Sequence, residues 1–380
     1  MKISIFSMFT ACMFTTGLCL AQTEGDALRY SMSTFGTTAR SLGLGGAFGA
    51  LGADFSVLAN NPAGIAAYRK SEASISPTFN IRNIDSKYIG TTTNDSRFYF
   101  NFGSAGLVLT GYRPNKNGWK GWSFGLGYNR DECYKKYVSW QGFNTKNSLY
   151  DAIAQEVQGV SYSDFGDLGY AFDAGLAWNV YMINQAPSGP TDYESAIPNG
   201  GVLQMKTEDI TGRKGSFDIS FGNNYNEILQ LGMTMEFASF YYWDENTYTE
   251  VDLYDSIISP WQQMDFKTAV YTQNKYTRGN GFIAKFGAIV KPNDLIRLGV
   301  AIHTPGWYHV TYQDEYNMWA QFGNSSDSLF VQDPLASNFA YDLTTPFKVI
   351  GSAALVFEHN FLVSMDYEYV DYPMTKDRKS

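Results

Sequence analysis

The sequence predicts an all-β protein, a transmembrane antiparallel β-barrel, and three observations predict it. Apolar residues alternate with small polar ones in run after run, as in Trp122, Phe124, Leu126 and Tyr128 against Ser123, Gly125, Gly127 and Asn129. Aromatic residues make up 16% of the 380-residue chain although its mean hydropathy is only −0.25, which suits a surface divided between lipid and water. Beyond the N-terminus no continuous apolar run reaches the roughly 18–20 residues that a spanning helix needs, so a membrane crossing would be made by strands.

A soluble sandwich alternates too, with its apolar side inward. Three details favour the barrel. The side opposite the apolar one is rich in Gly, Ser, Asn and Thr, aromatic residues gather at run ends (Tyr128, Tyr241, Trp243, Trp307, Tyr308), and short connectors such as KPND (291–294) alternate with long ones.

Residues 1–21 read as a secretory signal peptide: Lys2, the apolar run ISIFSMFTACMFTTGLCL, then Cys19 and Ala21 as the small residues before a cut at Gln22. Leu18 ahead of Cys19 does not suit lipid anchoring. Cys12 and Cys19 leave with the signal, so only Cys133 remains and no intramolecular disulfide can form. Residues 22–72 are too few and too glycine-rich for a core of their own and precede the first strand, ASISPTFNIR (73–82). Such a segment orders only against something else, and inside a barrel it reads as a plug.

The barrel itself is expected over 73–380. Alternation appears at 98–112, 121–129, 217–222, 229–243, 281–290, 295–302 and 361–369, runs whose typical length matches the ~9–11 residues of a tilted spanning strand. The longest insertion, 138–210, contains SLYDAIAQEV and AFDAGLAWNV; Leu149, Ile153 and Val157 fall at helical spacing and predict short helices. A second polar connector covers 244–264. Loops of that length are commonly functional, and these are expected to form an extracellular entrance. In NFGSAG (101–106), Gly103 and Gly106 interrupt an aromatic strand, which predicts a kink over Asn101, Gly103 and Gly106 or, equally, close packing against the plug. The runs make roughly nine to eleven strands. The chain stops at YPMTKDRKS (372–380) without the terminal aromatic usual in such barrels, so it reads as truncated at the C-terminus, the alternative being a barrel that closes with fewer strands.

No catalytic residue, cofactor or metal is expected. GWSFG (121–125) matches the serine-hydrolase elbow in letters, but Ser123 lies within an alternating strand rather than at a strand-to-helix turn. GLGGAFGALG fails the dinucleotide fingerprint. His303, His309 and His359 lack metal-ligand spacing, and a net charge of −9 does not favour nucleic acid.

The run ARSLGLGGAFGALGADFSVLANNPAGIAAY (39–68) closely resembles the N-terminal hatch of the FadL/TodX outer-membrane transporters. The matching positions are Gly45, Gly46, Ala47, Asp54, Asn61, Pro62 and Ala63. RLGVAIHTPGWYHVTY (297–312) and LTTPFKVIGSAALVF (343–357) look like later strands of that family's Bacteroidetes-type members. The resemblance implies a fourteen-stranded barrel in the Gram-negative outer membrane, inserted by the barrel-assembly machinery and closed by a hatch over 22–72. It implies passive uptake of long-chain fatty acids or other hydrophobic compounds, captured among loops, held in a lumen pocket and released sideways. Gly45, Gly46, Ala47 and Asp54 would pack the hatch, and Asn61, Pro62, Ala63 and Gly64 would gate it. Two other readings stand beside it: a receptor for haem or another large apolar ligand, using His303 or His309, and an outer-membrane lipase using Ser123 and a histidine.

Overall fold

A computed structural model of the chain describes residues 24–32, 38–114, 117–167, 169–259, 265–323, 329–357, 361–372 and 376–379. The signal peptide expected at 1–21 lies outside them. The described chain is all-β. Its strands are β1 (Glu72–Tyr88), β2 (Thr91–Tyr112), β3 (Trp119–Cys133), β4 (Lys136–Asn144), β5 (Ile183–Gln185), β6 (Tyr193–Ser195), β7 (Val202–Tyr225), β8 (Leu229–Val251), β9 (Phe266–Val290), β10 (Ile296–His303), β11 (Trp307–Phe322), β12 (Leu329–Thr344), β13 (Lys348–Phe357), β14 (Phe361–Val370) and β15 (Lys376–Lys379). All but the β5–β6 hairpin belong to one sheet.

Several of these strands are halves of longer ones. β3 and β4 both pair with β7; β10 and β11 pair with successive stretches of β9; β13 and β12 follow on β10 and β11, and β14 and β15 on those. Joined in this way, the sheet is an antiparallel meander of nine long strands in chain order. The breaks in neighbouring strands fall side by side, at Thr304–Gly306 and Thr345–Phe347, where Pro305 and Pro346 have no N–H to give. Threonine hydroxyls replace missing backbone acceptors there: Ala284 N donates to Thr304 Oγ1 (3.0 Å) and Gly306 N to Thr345 Oγ1 (3.0 Å).

The two faces of the sheet differ in chemistry. Phe221, Met233, Phe286 and Val300 are 44%, 40%, 50% and 46% exposed, whereas their neighbours on the opposite face, Ser220, Thr234, Lys285 and Ala301, are buried. Large apolar side chains in solvent over polar ones inside invert the arrangement of a soluble sandwich. Residues 39–68 lie against the polar face. They touch Gly106 on β2, Gly125 on β3, Gly222 on β7, Gly232 on β8, Gly287 on β9, Gly299 on β10 and Ser352 on β13, and Gly49 N donates to Asp366 on β14 (2.9 Å). A sheet whose strands meet one short segment on one side is curled around it, and that side is its inner face. Among the described residues β1 pairs only with β2, and β14 only with β13.

Strands run further than the alternation predicted. β4 and β7 take residues 138–144 and 202–210 from the expected insertion, which narrows to 145–201, and β8 takes 244–251 from the expected connector. Beyond the apolar zone polar residues enter both faces of these strands, so the hydrophobic period fades while the ladder continues.

Residues 145–201 form a folded cap. Ser148 caps the helix Leu149–Glu156, accepting from Tyr150 N (3.1 Å) while Asp151 accepts from Ser148 N (2.8 Å). Ile153, Val157, Leu176, Ala177 and Val180 then share a buried apolar cluster with Phe266, Ala269, Met318 and Phe322 on the inner face of β9 and β11. Glu250 anchors the cap from β8, accepting from Ser148 Oγ (2.5 Å), Leu149 N (2.8 Å), Gln204 Nε2 (2.8 Å) and Tyr248 OH (2.8 Å). Among the described residues no helix is long and apolar enough to cross a membrane.

Candidate functional site

The site is the inner space of the curled sheet, and its floor is the turn built by Asn61-Pro62-Ala63-Gly64. Pro62 holds the preceding residue out of helical geometry, and Asn61 is extended accordingly, at φ −124° and ψ 103°. From there its side chain works in two directions. Oδ1 accepts from Ala63 N (3.1 Å), starting the 3₁₀ turn Pro62–Ala67, and Nδ2 donates to Gly49 O (2.7 Å). Asp54 does the same for the turn Phe55–Leu58. It accepts from Ser56 N (3.0 Å), Ser56 Oγ (2.7 Å) and Thr38 Oγ1 (2.8 Å), with Arg40 at 3.4 Å. Gly45 and Gly46, at φ 65° and 81°, close the helix Ala39–Gly43 with bonds to Leu42 O and Ser41 O. A Cβ on Gly45 would meet open space. Ala47 contributes its carbonyl, which accepts from Ser364 Oγ on β14 (2.6 Å).

The turn sits on glycines of the wall. Gly222, Gly232 and Gly287 are direct cross-strand partners on β7, β8 and β9. A Cβ on Gly232 would collide with the Pro62 carbonyl, and one on Gly287 with Asn61 Oδ1. This seat explains why a stiff Asn-Pro turn precedes the first strand: it is shaped to lie flat on backbone.

Polar wall side chains hold the segment by its carbonyls. Lys285 Nζ donates to Ala59 O (2.7 Å), Arg297 to Leu51 O (2.9 Å), and Lys214 Nζ to Tyr30 O (2.7 Å) and Met32 O (3.1 Å). His303 Nε2 lies 2.8 Å from Asn60 O; a carbonyl can only accept, so Nε2 carries the proton. Lys285 is also paired with buried Glu236, and Lys348 with Glu368 at 3.0 Å. Asp131, Lys214, Glu236, Lys285, His303 and Glu368 border a cavity of about 70 Å³ beside the turn. Sequence reading missed this charged set. Its signal was present, since an ionisable residue at the inner parity of an alternating strand is itself the mark of a polar interior.

Above the cavity the inner face turns aromatic. Phe240, Tyr242, Tyr308 and Tyr341 line it, and Tyr30, from the helix Glu24–Ser31, fills it, stacked 4.2 Å from Phe240. Burial pushes the Tyr30 phenol up to about 12. The cap's apolar cluster lies over the inner faces of β9 and β11 further along the same strands.

The wall parts beside the segment. The β1–β2 register slips between Ser76 and Pro77, leaving Gly103 opposite no residue. Below the slip the odd residues Leu107 and Leu109 face outward; above it the even residues Phe98, Phe100 and Phe102 do. Gly103 is thus the extra residue that keeps the outer face apolar. β2 has rungs to β3 only from Ser104 to Tyr112. Beyond them lies a hollow of about 210 Å³ bordered by Leu42, Tyr99, Asn101, Gly103, Arg130 and Asp131. Gly106 differs from Gly103: it receives the ring of Phe55.

The residues of the other two readings are not brought together. His303 faces the turn, whereas His309 stands exposed on the outer face beside Asp342 (2.9 Å). Ser123 points inward and shares a hydrogen with Thr110 Oγ1 (3.0 Å). No family model, curated protein or solved structure matches the chain.

Proposed function

We propose that this protein is an outer-membrane channel of the FadL/TodX kind that admits long-chain fatty acids or similar hydrophobic compounds by passive diffusion. The observation that carries the reading is the inverted sheet: an exposed apolar outer face over a buried polar inner one, curled around residues 39–68. A lipid-facing barrel wall needs that polarity, and the segment would be its hatch. The cap would receive the substrate from outside, the aromatic layer around Tyr30 would take its chain once that ring moves aside, and the hollow beside Gly103 would give a sideways exit. Each methylene buried contributes about 0.8 kcal/mol, so successive apolar stations can pass a fatty acid along without an energy source.

The test is uptake of radiolabelled oleate by a bacterium that lacks its own fatty-acid channel and carries this protein. Uptake above an empty vector, reduced when the hollow is filled by Gly103→Trp in a barrel that still folds, is the expected result. A folded wild-type protein in the outer membrane that restores no uptake would overturn the reading.

A further inference from the structure

The outer face carries a feature that a transport path does not use. In the registered ladder Arg213 on β7 lies directly across from Tyr241 on β8, and Tyr241 directly across from Arg278 on β9. One step further along sit Trp243 and its partner Tyr276. Both arginines are exposed on the outer face. Arg213 lies over the rings of Tyr128 (5.9 Å) and Tyr241 (5.7 Å), and Arg278 over Trp243 (5.6 Å). Among the described residues neither guanidinium has a carboxylate within ion-pair distance. Beside Arg278 opens a concavity of about 520 Å³, bordered also by Trp243, Tyr276, Gln313 and Asn338. Its one carboxylate, Glu315, already accepts from Gln313 Nε2 (2.8 Å).

The height of this row gives it meaning. Phe217, Phe237 and Phe282 form the last apolar row of the outer belt on β7, β8 and β9. Arg213 and Arg278 are four residues beyond it, roughly 13 Å along the strand at the usual rise. Tyrosine and tryptophan at such a boundary mark the headgroup level of a bilayer, and two unpaired cations there, about 10 Å apart across two strand spacings, complement an anion. We propose that this row binds the phosphate of an anionic lipid whose acyl chains lie along Phe217, Phe237 and Phe282. The rings hold each guanidinium by cation–π attraction without using its N–H groups, which are left to donate in pairs to phosphate oxygens. The inference rests on the membrane reading above.

The experiment compares retention of phosphatidylglycerol and of phosphatidylcholine with identical acyl chains, read by native mass spectrometry of the folded chain in detergent micelles. The variants are Arg213→Gln/Arg278→Gln and, as a charge-matched control at the other end of the strands, Arg69→Gln/Arg113→Gln. Wild type should prefer phosphatidylglycerol by at least about tenfold, the first variant should lose most of that preference, the control should keep it, and inorganic phosphate should not displace the lipid. Equal retention of the two lipids, or equal loss in both variants, overturns the inference while leaving the membrane reading in place. A chain that folds only as a detergent-free soluble protein overturns both.

Discussion

Asn61 concentrates much of the segment's order in one side chain. Replacing it by alanine removes the cap on Ala63 N and leaves Gly49 O without its donor, at about 1 kcal/mol for each bond. Asn61→Ala is therefore expected to loosen residues 39–68 by roughly 2 kcal/mol, seen as faster proteolysis of the segment with the sheet's melting little changed. Gly232→Val approaches the same contact from the wall. Its side chain would strike the Pro62 carbonyl, so it should unseat the turn by about 1–3 kcal/mol; a variant that leaves protease sensitivity unaltered would show that the seat is not rigid. Tyr30 gives a pH test. Its docked pKa of about 12 stands above the ordinary 10, so docking favours the protonated phenol: the contribution is complete below pH 10 and is lost as pH rises through 12. Two units correspond to a few kcal/mol, on the order of 3. Proteolytic exposure of the helix Glu24–Ser31 should rise across that window in wild type and much less in Tyr30→Phe, which has nothing to titrate.

The elements were legible to different degrees, and the reason is physical. Each apolar half-strand was visible because lipid-type side chains keep a period of two, as Leu231, Met233, Met235 and Phe237 do on β8. The other half of β8, through Glu245 and Asn246 to Val251, has water-compatible residues on both faces and carries no such signal. The cap helix was legible from Leu149, Ile153 and Val157, yet its anchor was not: Glu250 is a lone acid in a polar run, and only the fold brings Ser148 to it. Glu250→Ala should therefore release the cap as a unit. Hydrogen exchange over 149–156 is expected to quicken severalfold while exchange in the apolar halves of β7 and β8 stays slow; uniform quickening would mean that cap and sheet unfold together. The glycines 222, 232 and 287 could be seen as small residues on one parity, but their alignment is a property of register, which one sequence does not reveal.

For the whole molecule, the class of fold followed from alternation and composition, because a curled sheet with its apolar face outward leaves that mark on every strand. The interior was less legible. A lumen pocket was expected without its lining; the space beside the turn is bordered by Asp131, Lys214, Glu236 and Lys285 together with Ile283, Ile350 and Val370, and an aromatic layer lies above it. Lys285→Met would leave Glu236 buried without its cation, a loss of about 3–5 kcal/mol, and should lower the melting temperature of the whole sheet, whereas the changes in the turn should not. A melting temperature equal to wild type would mean that water enters freely and solvates the carboxylate.

The breaks at Thr304–Gly306 and Thr345–Phe347 give this wall a mechanical character of its own. A sheet resists bending through its rungs, and along this crease two prolines withhold theirs while threonine hydroxyls, which rotate, stand in for rigid carbonyls. The crease is confined to one flank, β10–β11 and β13–β12, because β7, β8 and β9 run unbroken through the same height and keep the Asn-Pro turn seated. That flank should flex along its seam before the continuous strands beside it deform.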